Sequence, residues 1–246
     1  MIYISIGSRL RLGSINKECG SHRPHPRHHP VNPIEQAVTK GIRALGLPVP
    51  ADAVARLCAY IGLLERWNRV YNLTAVRRPE DMVSRHLLDS LSILSWVRGP
   101  RVLDVGSGAG LPGIPLAVAR PHWEFYLLDS NGKRTRFMQQ AIAELQLTNV
   151  KVVHCRLQDY YPEIKFASLV TRAYTTLAEF TADSARLCAA DGCLLAMKGA
   201  YPHEELGHLS PAWQVVGVYR LKVPGLDAER HLVHLVSPDA KTRAEV

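Results

Sequence analysis

Residues 101–110 read RVLDVGSGAG, a short apolar strand that runs into an acid and then into a turn with three glycines. A second apolar run ends at Asp129, 19 residues after the last of those glycines. The succession of strand, glycine turn, helix, strand and acid is how a doubly wound sheet builds an adenosine site. Glycine is needed in the turn because a Cβ atom would block the approach of the ligand. We therefore expect Asp129 to accept hydrogen bonds from ribose hydroxyls.

The spacing of the glycines narrows the choice of ligand. A dinucleotide site has the pattern G-x-G-x-x-G, which opens a helix whose N–H groups hold a pyrophosphate. Here Gly106, Gly108 and Gly110 follow the pattern G-x-G-x-G, and Asp104 stands two residues before the first of them. A carboxylate there repels a pyrophosphate but suits the cationic ligand S-adenosylmethionine. The alternative, a glycine-rich turn without a ligand, is disfavoured because Asp104 and Asp129 accompany the glycines.

The composition is that of a globular protein with a basic surface. The chain has 246 residues, is 47% apolar and carries a net charge of +8, which suits a polyanionic partner. Half of that excess lies in residues 1–33. No apolar run approaches the roughly 18 residues of a membrane span. The five cysteines are scattered without a C-x-x-C pair, so reduced cysteines in the cytoplasm and no metal site are expected.

The chain divides into three parts. Residues 1–33 are rich in His, Arg and Pro without periodicity, which predicts a disordered basic extension. Residues 34–98 are predicted to form helices that pack on the catalytic domain. Apolar residues recur at helical spacing from Leu57 to Trp67, and a second helix is predicted from about Pro79 to Trp96. Residues 99–246 are predicted to form the domain that binds S-adenosylmethionine.

From residue 101 onward, predicted strands and helices alternate. This alternation predicts an α/β fold with a doubly wound, mostly parallel, Rossmann-like sheet. Only a loop, residues 222–230, separates the last two strands, so they are predicted to form an antiparallel hairpin at the sheet edge. Strands are predicted at 101–105, 124–129, 150–155, 167–172, 192–198, 213–221 and 231–237, and helices at 112–120, 131–146, 175–189 and 202–209.

Three cations open the helix that follows Asp129, namely Lys133, Arg134 and Arg136. Cations in a first turn oppose the helix dipole, so the stability of the helix does not call for them. Contact with RNA phosphates is one interpretation of these side chains, and solvated surface charge is the other.

Two arginines follow predicted strands at the edge of the sheet where ligands bind. Arg156 follows the third strand and Arg172 follows the fourth. Around a cationic cofactor, they favour a substrate that is itself anionic. The alternative is a structural ion pair with Asp159 or Glu179.

The end of the fourth strand, residues 168–174, narrows the class of methyl acceptor. Methylases of DNA amino groups have an Asn-Pro-Pro-aromatic run here and pyrimidine C5 methylases a Pro-Cys pair, whereas this chain reads SLVTRAY. Because both motifs are absent, we expect a methyl acceptor that needs neither a cysteine adduct nor the removal of a proton. N7 of guanine is such an acceptor. Transfer to it is an in-line displacement that depends mainly on positioning.

Six segments in a fixed order carry a resemblance to one family. They are YNLTAVR (71–77), RHLLDS (85–90), DVGSGAGLPG (104–113), LLDS with GKR (127–134), TRA (171–173) and ERHL (229–232). Over about residues 34–237, the chain resembles the bacterial small-subunit ribosomal RNA guanine-N7 methyltransferases, also called glucose-inhibited division protein B. The glycine motif is common to many methyltransferases, and the runs NLTAV, LPGIP and ERHL are far more specific.

The resemblance implies a class I methyltransferase that acts on N7 of a single guanine in 16S ribosomal RNA, naked or in the 30S particle. Membrane contact and an obligate protein partner are not expected. Family members often have acids after the third strand, where this chain has Gln158 and Asp159. Matching positions imply cofactor contacts for Gly106, Leu111, Leu157, Gln158 and Arg172, and an active-site or RNA role for Asn72, His86, Arg156 and Arg230.

Three other functions stay open at this point. A small-molecule methyltransferase is disfavoured by the basic charge. A ribosome assembly factor that senses the cofactor without catalysis would bind RNA without turnover. An NAD-dependent oxidoreductase conflicts with Asp104 and with the glycine spacing.

Overall fold

The first part of the described chain is helical, in line with the pattern of residues 34–98. The computed structural model describes residues 32–172, 174 and 176–237, so the extension predicted at 1–33 lies almost wholly outside the described residues. The helices of this part are α1 (Pro33–Ala44), α2 (Ala53–Tyr71), α3 (Pro79–Met82) and α4 (Asp89–Leu91), and a π-helical segment (Val83–Leu88) joins α3 to α4.

The second part alternates strands and helices. Its strands are β1 (Arg101–Val105), β2 (Glu124–Leu128), β3 (Val150–Val153), β4 (Phe166–Thr171), β5 (Cys188–Lys198), β6 (Gln214–Arg220) and β7 (His231–Val236). Its helices are α5 (Gly113–Ala119), α6 (Gly132–Glu144), α7 (Leu177–Ser184) and α8 (His203–Gly207).

All seven strands form one sheet in the order β3-β2-β1-β4-β5-β7-β6. The first five strands in chain order run parallel, and β7 is antiparallel to both β5 and β6. The predicted antiparallel hairpin is confirmed, and β7 is its inner strand. The strand order reverses between β1 and β4, and in such sheets ligands bind beyond the carboxyl ends of the strands at this reversal.

The sheet has a hydrophobic core on each face. The helices that precede β1 share one core with α5 and α6, whereas the other core includes residues of α7. Leu57, Tyr60, Ile61 and Leu64 of α2 are buried in the first core, as their helical spacing predicts. The Tyr60 hydroxyl donates to the carbonyl of Ala109 at 2.7 Å. Helix α2 therefore contacts the glycine turn directly and helps to hold it in place.

The predicted and observed elements differ most at two places. The helix predicted as far as Trp96 ends at Leu91, and the elements around β5 have other bounds. A helix was predicted through residue 189, but α7 ends at Ser184, a 3₁₀ turn follows, and β5 begins at Cys188. Cys188 pairs with Phe166 of β4 before the register shifts. The apolar residues that prolong the helical pattern are thus the first pairing residues of a strand. Among the described residues, no helix is both long and apolar enough to span a membrane.

Candidate active site

The glycine turn follows β1 and folds back over the end of β2. The N–H groups of Gly106 and Ser107 donate to the carbonyl of Leu128 at 2.8 and 3.0 Å. Gly106, Gly108 and Gly110 have φ angles of 69°, 60° and 79°, in the left-handed region that other residues avoid. The turn therefore presents bare backbone at the end of the sheet.

Two of the glycines have different surroundings. A Cβ atom on Gly110 would overlap the side chain of Ile114, so glycine lets α5 pack against the turn. A Cβ atom on Gly106 would lie 3.8 Å from the Tyr174 ring, which is ordinary contact. An added methyl group at position 106 would therefore clash with nothing in the protein. Leu111 is buried, so only its backbone or a small part of its side chain can reach a ligand at the turn.

Asp129 ties the glycine turn to the start of α6. Its Oδ2 accepts the N–H of Gly108 at 2.9 Å, and its Oδ1 accepts the N–H of Asn131 at 2.8 Å. Nη1 of Arg134 lies 3.4 Å from Oδ2. An ionised carboxylate offers about four acceptor positions, so Asp129 retains capacity for a ligand hydroxyl.

A cavity of about 240 Å³ opens beside the glycine turn, and we call it the turn cavity. The end of β2 forms one side of it and the segment after β3 forms the other. Its volume is smaller than that of a typical cofactor pocket, so an adenosine ligand would fill it and extend along the turn. It is lined by Gly106, Leu128, Asp129, Ser130, Arg134, Cys155, Arg156, Leu157, Gln158 and Tyr174.

Arg186 holds the outer wall of the turn cavity in place. Its Nη2 donates to the carbonyl oxygens of Leu157 and Gln158 at 2.6 and 3.2 Å, and its Nη1 donates to the carbonyl of Tyr160. These carbonyls lie in and directly after a three-residue 3₁₀ turn, Leu157–Asp159, which is not part of a longer helix. One guanidinium group therefore fixes the backbone on which the predicted cofactor contacts at Leu157 and Gln158 stand.

Gln158 and Tyr174 share a carboxylate partner at the rim of the turn cavity. Nε2 of Gln158 and the hydroxyl of Tyr174 both donate to Oδ2 of Asp183, at 2.6 and 2.8 Å. Burial, followed by the hydrogen bond to Asp183, raises the pKa of Tyr174 to about 12. Tyr174 is thus a protonated donor whose ring is held over the glycine turn.

Asp104 lies behind the glycine turn and is fully buried. Its Oδ2 accepts the N–H of Gly113 at 2.8 Å, whereas its Oδ1 has no hydrogen-bond partner among the described residues. Burial raises the pKa of the Asp104 carboxyl to about 7. A buried carboxyl with an unpaired oxygen suits a neighbouring positive charge, which would favour the ionised form. The bare turn and Asp129 fit an adenosine cofactor in the turn cavity, and Asp104 lies buried behind the turn without lining that cavity.

A second cavity, of about 410 Å³, lies at the ends of β4 and β5, and we call it the arginine cavity. The buried Asp89 anchors two arginines there: Oδ1 accepts from Nε of Arg230 at 3.0 Å, and Oδ2 accepts from Nη1 of Arg172 at 3.4 Å. Burial raises the pKa of Asp89, and the two guanidinium groups lower it in part. The cavity is lined by Val76, Arg85, His86, Asp89, Arg172, Met197, Lys198, Gly199 and Arg230.

His86 lines the arginine cavity with both ring nitrogens engaged by the protein. Nδ1 lies 2.9 Å from the carbonyl oxygen of Arg85, and Nε2 lies 2.7 Å from Oγ1 of Thr74. This network assigns the proton to Nδ1, with the Thr74 hydroxyl donating to Nε2. Burial, and then the charge of Arg172, lowers the pKa of His86 to about 4. His86 is therefore neutral at pH 7.

The structure distributes the four predicted catalytic residues over the two cavities and one position outside both. His86 and Arg230 line the arginine cavity together with Arg172, which was predicted at the cofactor. Arg156 lines the turn cavity instead. Asn72 ends α2 in a left-handed conformation, accepts from Arg77 at 2.9 Å, and lines neither cavity.

The predicted RNA contacts lie in the first turn of α6. Lys133, Arg134 and Arg136 are exposed, and Asn131 caps the helix by accepting the N–H groups of Lys133 and Arg134. Because Arg134 also pairs with Asp129, it belongs partly to the turn cavity.

Sequence reasoning did not assign a role to several residues of the two cavities. Asp89 stands three residues after His86 on one helix, and that spacing was the available signal for it. Lys198 ends β5, so the rule for ligands at strand ends could have found it. Arg186 has no such signal because its partners are backbone carbonyls of a distant turn.

The sequence matches one family of known proteins over most of its length. The family model described as rRNA small subunit methyltransferase G matches residues 53–233. A ribosomal RNA small subunit methyltransferase G from Nitrosococcus oceani is 50% identical over 201 residues, 82% of this chain and 94% of the relative. The protein of that name from Methylobacillus flagellatus is 50% identical over 202 residues, 82% of this chain and 98% of the relative.

Solved structures show the same fold at low sequence identity. A SAM-dependent methyltransferase from Aquifex aeolicus superposes with a TM-score of 0.52 at 16% identity, over 63% of this chain and 92% of that one. The N-methyltransferase NodS from Bradyrhizobium japonicum, in complex with S-adenosyl-L-homocysteine, gives 0.52 at 14% identity, over 71% and 99%. The chain therefore belongs to the rRNA small subunit methyltransferase G family and has the fold of the S-adenosylmethionine-dependent methyltransferases.

Proposed function

We propose that this protein methylates N7 of a specific guanine in 16S ribosomal RNA. The arginine cavity carries this proposal. It holds two guanidinium groups, anchored by Asp89, next to the reversal of strand order between β1 and β4. Such a cavity suits an anionic, hydrogen-bonding substrate that needs no proton removed.

The cofactor side is built from the glycine turn. S-adenosylmethionine supplies a methyl group on a positively charged sulfur. We assign Asp129 to the ribose hydroxyls, Leu157 and Gln158 to the adenine, and the ionised Asp104 to the positive charge of the ligand. Gly106, Gly108 and Gly110 keep Cβ atoms out of the ligand's path, and the buried Leu111 closes the turn.

The acceptor side is built from the arginine cavity. N7 of guanine must keep its lone pair free, so Arg172 and Arg230 are assigned to guanine O6 or to phosphate, and not to the bidentate O6 and N7 contact that arginine usually makes. His86 is neutral and satisfied by the protein, so we assign it to positioning the cavity wall. No general base is required, because N7 loses no proton in the reaction.

The remaining predicted residues are assigned to the RNA backbone. Lys133 and Arg136 are exposed beside the turn cavity, and Arg156 is exposed at its wall. Asn72 stands on the loop that leads to Thr74 and Val76. Contacts from these positions would hold the RNA on both sides of the two cavities.

The proposed substrate implies where the protein acts and what it acts on. We propose that the protein acts in the cytoplasm on 16S RNA, either naked or within the 30S particle, without an obligate protein partner. Residues 34–98 would form the helical support and residues 99–246 the catalytic domain, with residues 1–33 as a basic extension.

Methyl transfer in vitro tests this proposal. Purified protein is incubated with S-adenosylmethionine carrying a labelled methyl group and with either deproteinised 16S RNA or 30S particles, and the modified nucleoside is identified after digestion. We expect label in 7-methylguanosine at a single position. Label in an exocyclic amine, or only in a small molecule, would refute the assignment.

Arg230→Ala separates the acceptor side from the cofactor side. Arg230 touches Asp89 and the arginine cavity but does not line the turn cavity. We expect the variant to lose RNA methylation while its affinity for the cofactor, measured by calorimetry, stays close to that of the wild type. If the variant instead bound the cofactor weakly but still methylated RNA at saturating cofactor, Arg230 would be assigned to the cofactor site and not to the acceptor site.

A further inference from the structure

An exposed aromatic residue lies two positions beyond the lining of the arginine cavity in the chain. Lys198 and Gly199 at the end of β5 line this cavity, and Tyr201 follows two residues later with 41% of its surface exposed. Its ring centroid lies 4.3 Å from that of His203 and 5.6 Å from that of His231. The three rings form a cluster that we call the aromatic shelf.

The loop that carries the shelf is held at both ends. Nδ1 of His231 lies 3.0 Å from the carbonyl oxygen of Gly199, and Nζ of Lys198 pairs with Oε2 of Glu205 at 2.8 Å. The same carboxylate oxygen accepts the N–H of Leu177 at the start of α7. Because the loop is already ordered, a ligand that stacks on Tyr201 pays little conformational entropy.

The position of Tyr201 sets it apart from the other exposed large apolar side chains. Among the described residues these are Val70, Tyr71, Tyr161, Tyr201 and Val216. Of these, Tyr201 alone lies within two residues of the lining of the arginine cavity. Its exposed surface therefore lies where a ligand that enters the arginine cavity can reach it.

We propose that the aromatic shelf stacks the unpaired nucleobase next to the guanine that is methylated. This inference rests on the proposed function. A guanine can enter the arginine cavity only after it leaves its stack in the RNA, and its neighbour then loses a stacking partner as well. Aromatic side chains replace that stacking in proteins that bind unpaired RNA bases. The neighbouring base, and not the guanine itself, is the occupant because Tyr201 lies outside the cavity lining.

Substitutions of Tyr201 test the shelf by kinetics. Stacking on one aromatic side chain contributes enough that Tyr201→Ala should lower kcat/KM for the RNA by about 5- to 100-fold. Tyr201→Phe, which keeps the ring, should retain wild-type activity. The matched control is Val216→Ala, since Val216 on β6 is also an exposed apolar residue and lines neither the arginine cavity nor the turn cavity. Cofactor affinity and thermal unfolding of all three variants should stay unchanged.

A crosslink identifies the occupant directly. Replacement of Tyr201 by the photoreactive residue p-benzoylphenylalanine should give a crosslink to the nucleotide on one side of the methylated guanine, and the same residue at position 216 should not. Wild-type kcat/KM in Tyr201→Ala, equal losses in Tyr201→Phe and Tyr201→Ala, or a crosslink remote from the methylated guanine would each overturn the shelf. If the wild-type protein forms no 7-methylguanosine in RNA, the proposed function fails first, and that outcome is seen before any variant is made.

Discussion

Gly106 combines a left-handed backbone with an open side toward the turn cavity. Its φ angle is 69°, and a Cβ atom there would meet only the Tyr174 ring at 3.8 Å. Gly106→Ala should therefore cost about 1–2 kcal/mol of stability from backbone strain and should weaken cofactor binding at least about tenfold, because the methyl group occupies the ligand's place. Calorimetry with S-adenosylmethionine and thermal unfolding measure the two effects.

Gly46→Ala is the control for the strain. Gly46 has a φ angle of 64° with nothing within 4 Å of the added Cβ atom, so it carries the same backbone penalty away from the turn. It should lose similar stability and keep full cofactor affinity. Unchanged affinity in Gly106→Ala would place the cofactor elsewhere.

Asp104 should make cofactor binding depend on pH. Its pKa is raised to about 7 by burial, Arg172 lowers this pKa and Asp129 raises it further. Only the ionised carboxylate attracts a cation, so affinity for S-adenosylmethionine should rise about tenfold from pH 6 to pH 8 as the competent fraction rises. Asp104→Asn should bind more weakly and without this slope. A flat profile in the wild type would contradict the assignment.

The same pKa also fixes the sign of a stability effect. The Asp104 carboxyl holds its proton more tightly in the fold than in the unfolded chain, whose ordinary value is 3.8. Its contribution to the free energy of unfolding is therefore full below that value and is lost as the pH rises toward about 7. Asp104→Asn should remove this loss, which denaturant unfolding at pH 5 and pH 8 would show.

Single residues of the site differ in how far the sequence predicts them. Asp129 and the glycines follow from spacing within one strand-turn-helix unit. Asp89 pairs with Arg172, which lies 83 positions later in the chain, and with Arg230, which lies 141 positions later. No local pattern carries such a pairing, because it depends on how the helix before β1 packs over the ends of β4 and β7.

Among the elements, the 3₁₀ turn after β3 is held by the Arg186 side chain in addition to its own backbone hydrogen bonds. Arg186 donates to the carbonyls of Leu157, Gln158 and Tyr160. Arg186→Lys keeps the charge but loses the forked donor geometry, so the turn should loosen and affinity for the cofactor should fall about tenfold, equivalent to one or two hydrogen bonds. Calorimetry measures this change.

Arg120→Lys provides the matched comparison. Arg120 donates to the carbonyl of Pro48 at 2.9 Å and lines neither the turn cavity nor the arginine cavity. It should lose some stability but no cofactor affinity. Equal affinities in Arg186→Lys and in the wild type would show that the turn keeps its shape without the guanidinium group.

The elements themselves were largely predictable because their periodicities are strong. The strands from β1 to β4 and the final hairpin are found within one or two residues of their predicted positions. The exceptions are places where tertiary contacts decide. The π-helical segment Val83–Leu88 contains His86 and directly precedes Asp89, and both residues line the arginine cavity. Helical spacing alone does not show such a widened turn.

At the scale of the whole molecule, the basic charge should appear in the salt dependence of RNA methylation. The chain carries a net charge of +8, and each phosphate contact adds about one to the slope of log affinity against log salt. Lys133→Ala combined with Arg136→Ala should therefore reduce that slope by about two, while cofactor binding stays unaffected by salt.

A double variant of equal charge is the control for this prediction. Arg56→Ala combined with Arg101→Ala removes the same charge from α2 and from the start of β1, and neither residue lines the turn cavity or the arginine cavity. It should leave the slope close to that of the wild type. Equal slopes in both double variants would mean that α6 does not contact the RNA.

The overall architecture could be predicted from the alternation of strands and helices. The reversal of strand order between β1 and β4 then indicated where the ligand site lies. The acceptor could not be derived from the glycine turn, because the turn recognises the methyl donor alone. It had to be inferred from residues of the helices before β1 and of the loop before β7, which only the fold brings to the ends of β4 and β5.

The most direct test of the central claim is to map the modified base in 16S RNA from cells with and without this protein. Borohydride and aniline cleave RNA at 7-methylguanosine, so primer extension reads its position. We predict one cleavage site that is present with the wild-type protein, absent without it, and not restored by Gly106→Ala or Arg230→Ala. Identical cleavage patterns in both cells, or a protein-dependent methyl group at any atom other than N7 of guanine, would contradict the account.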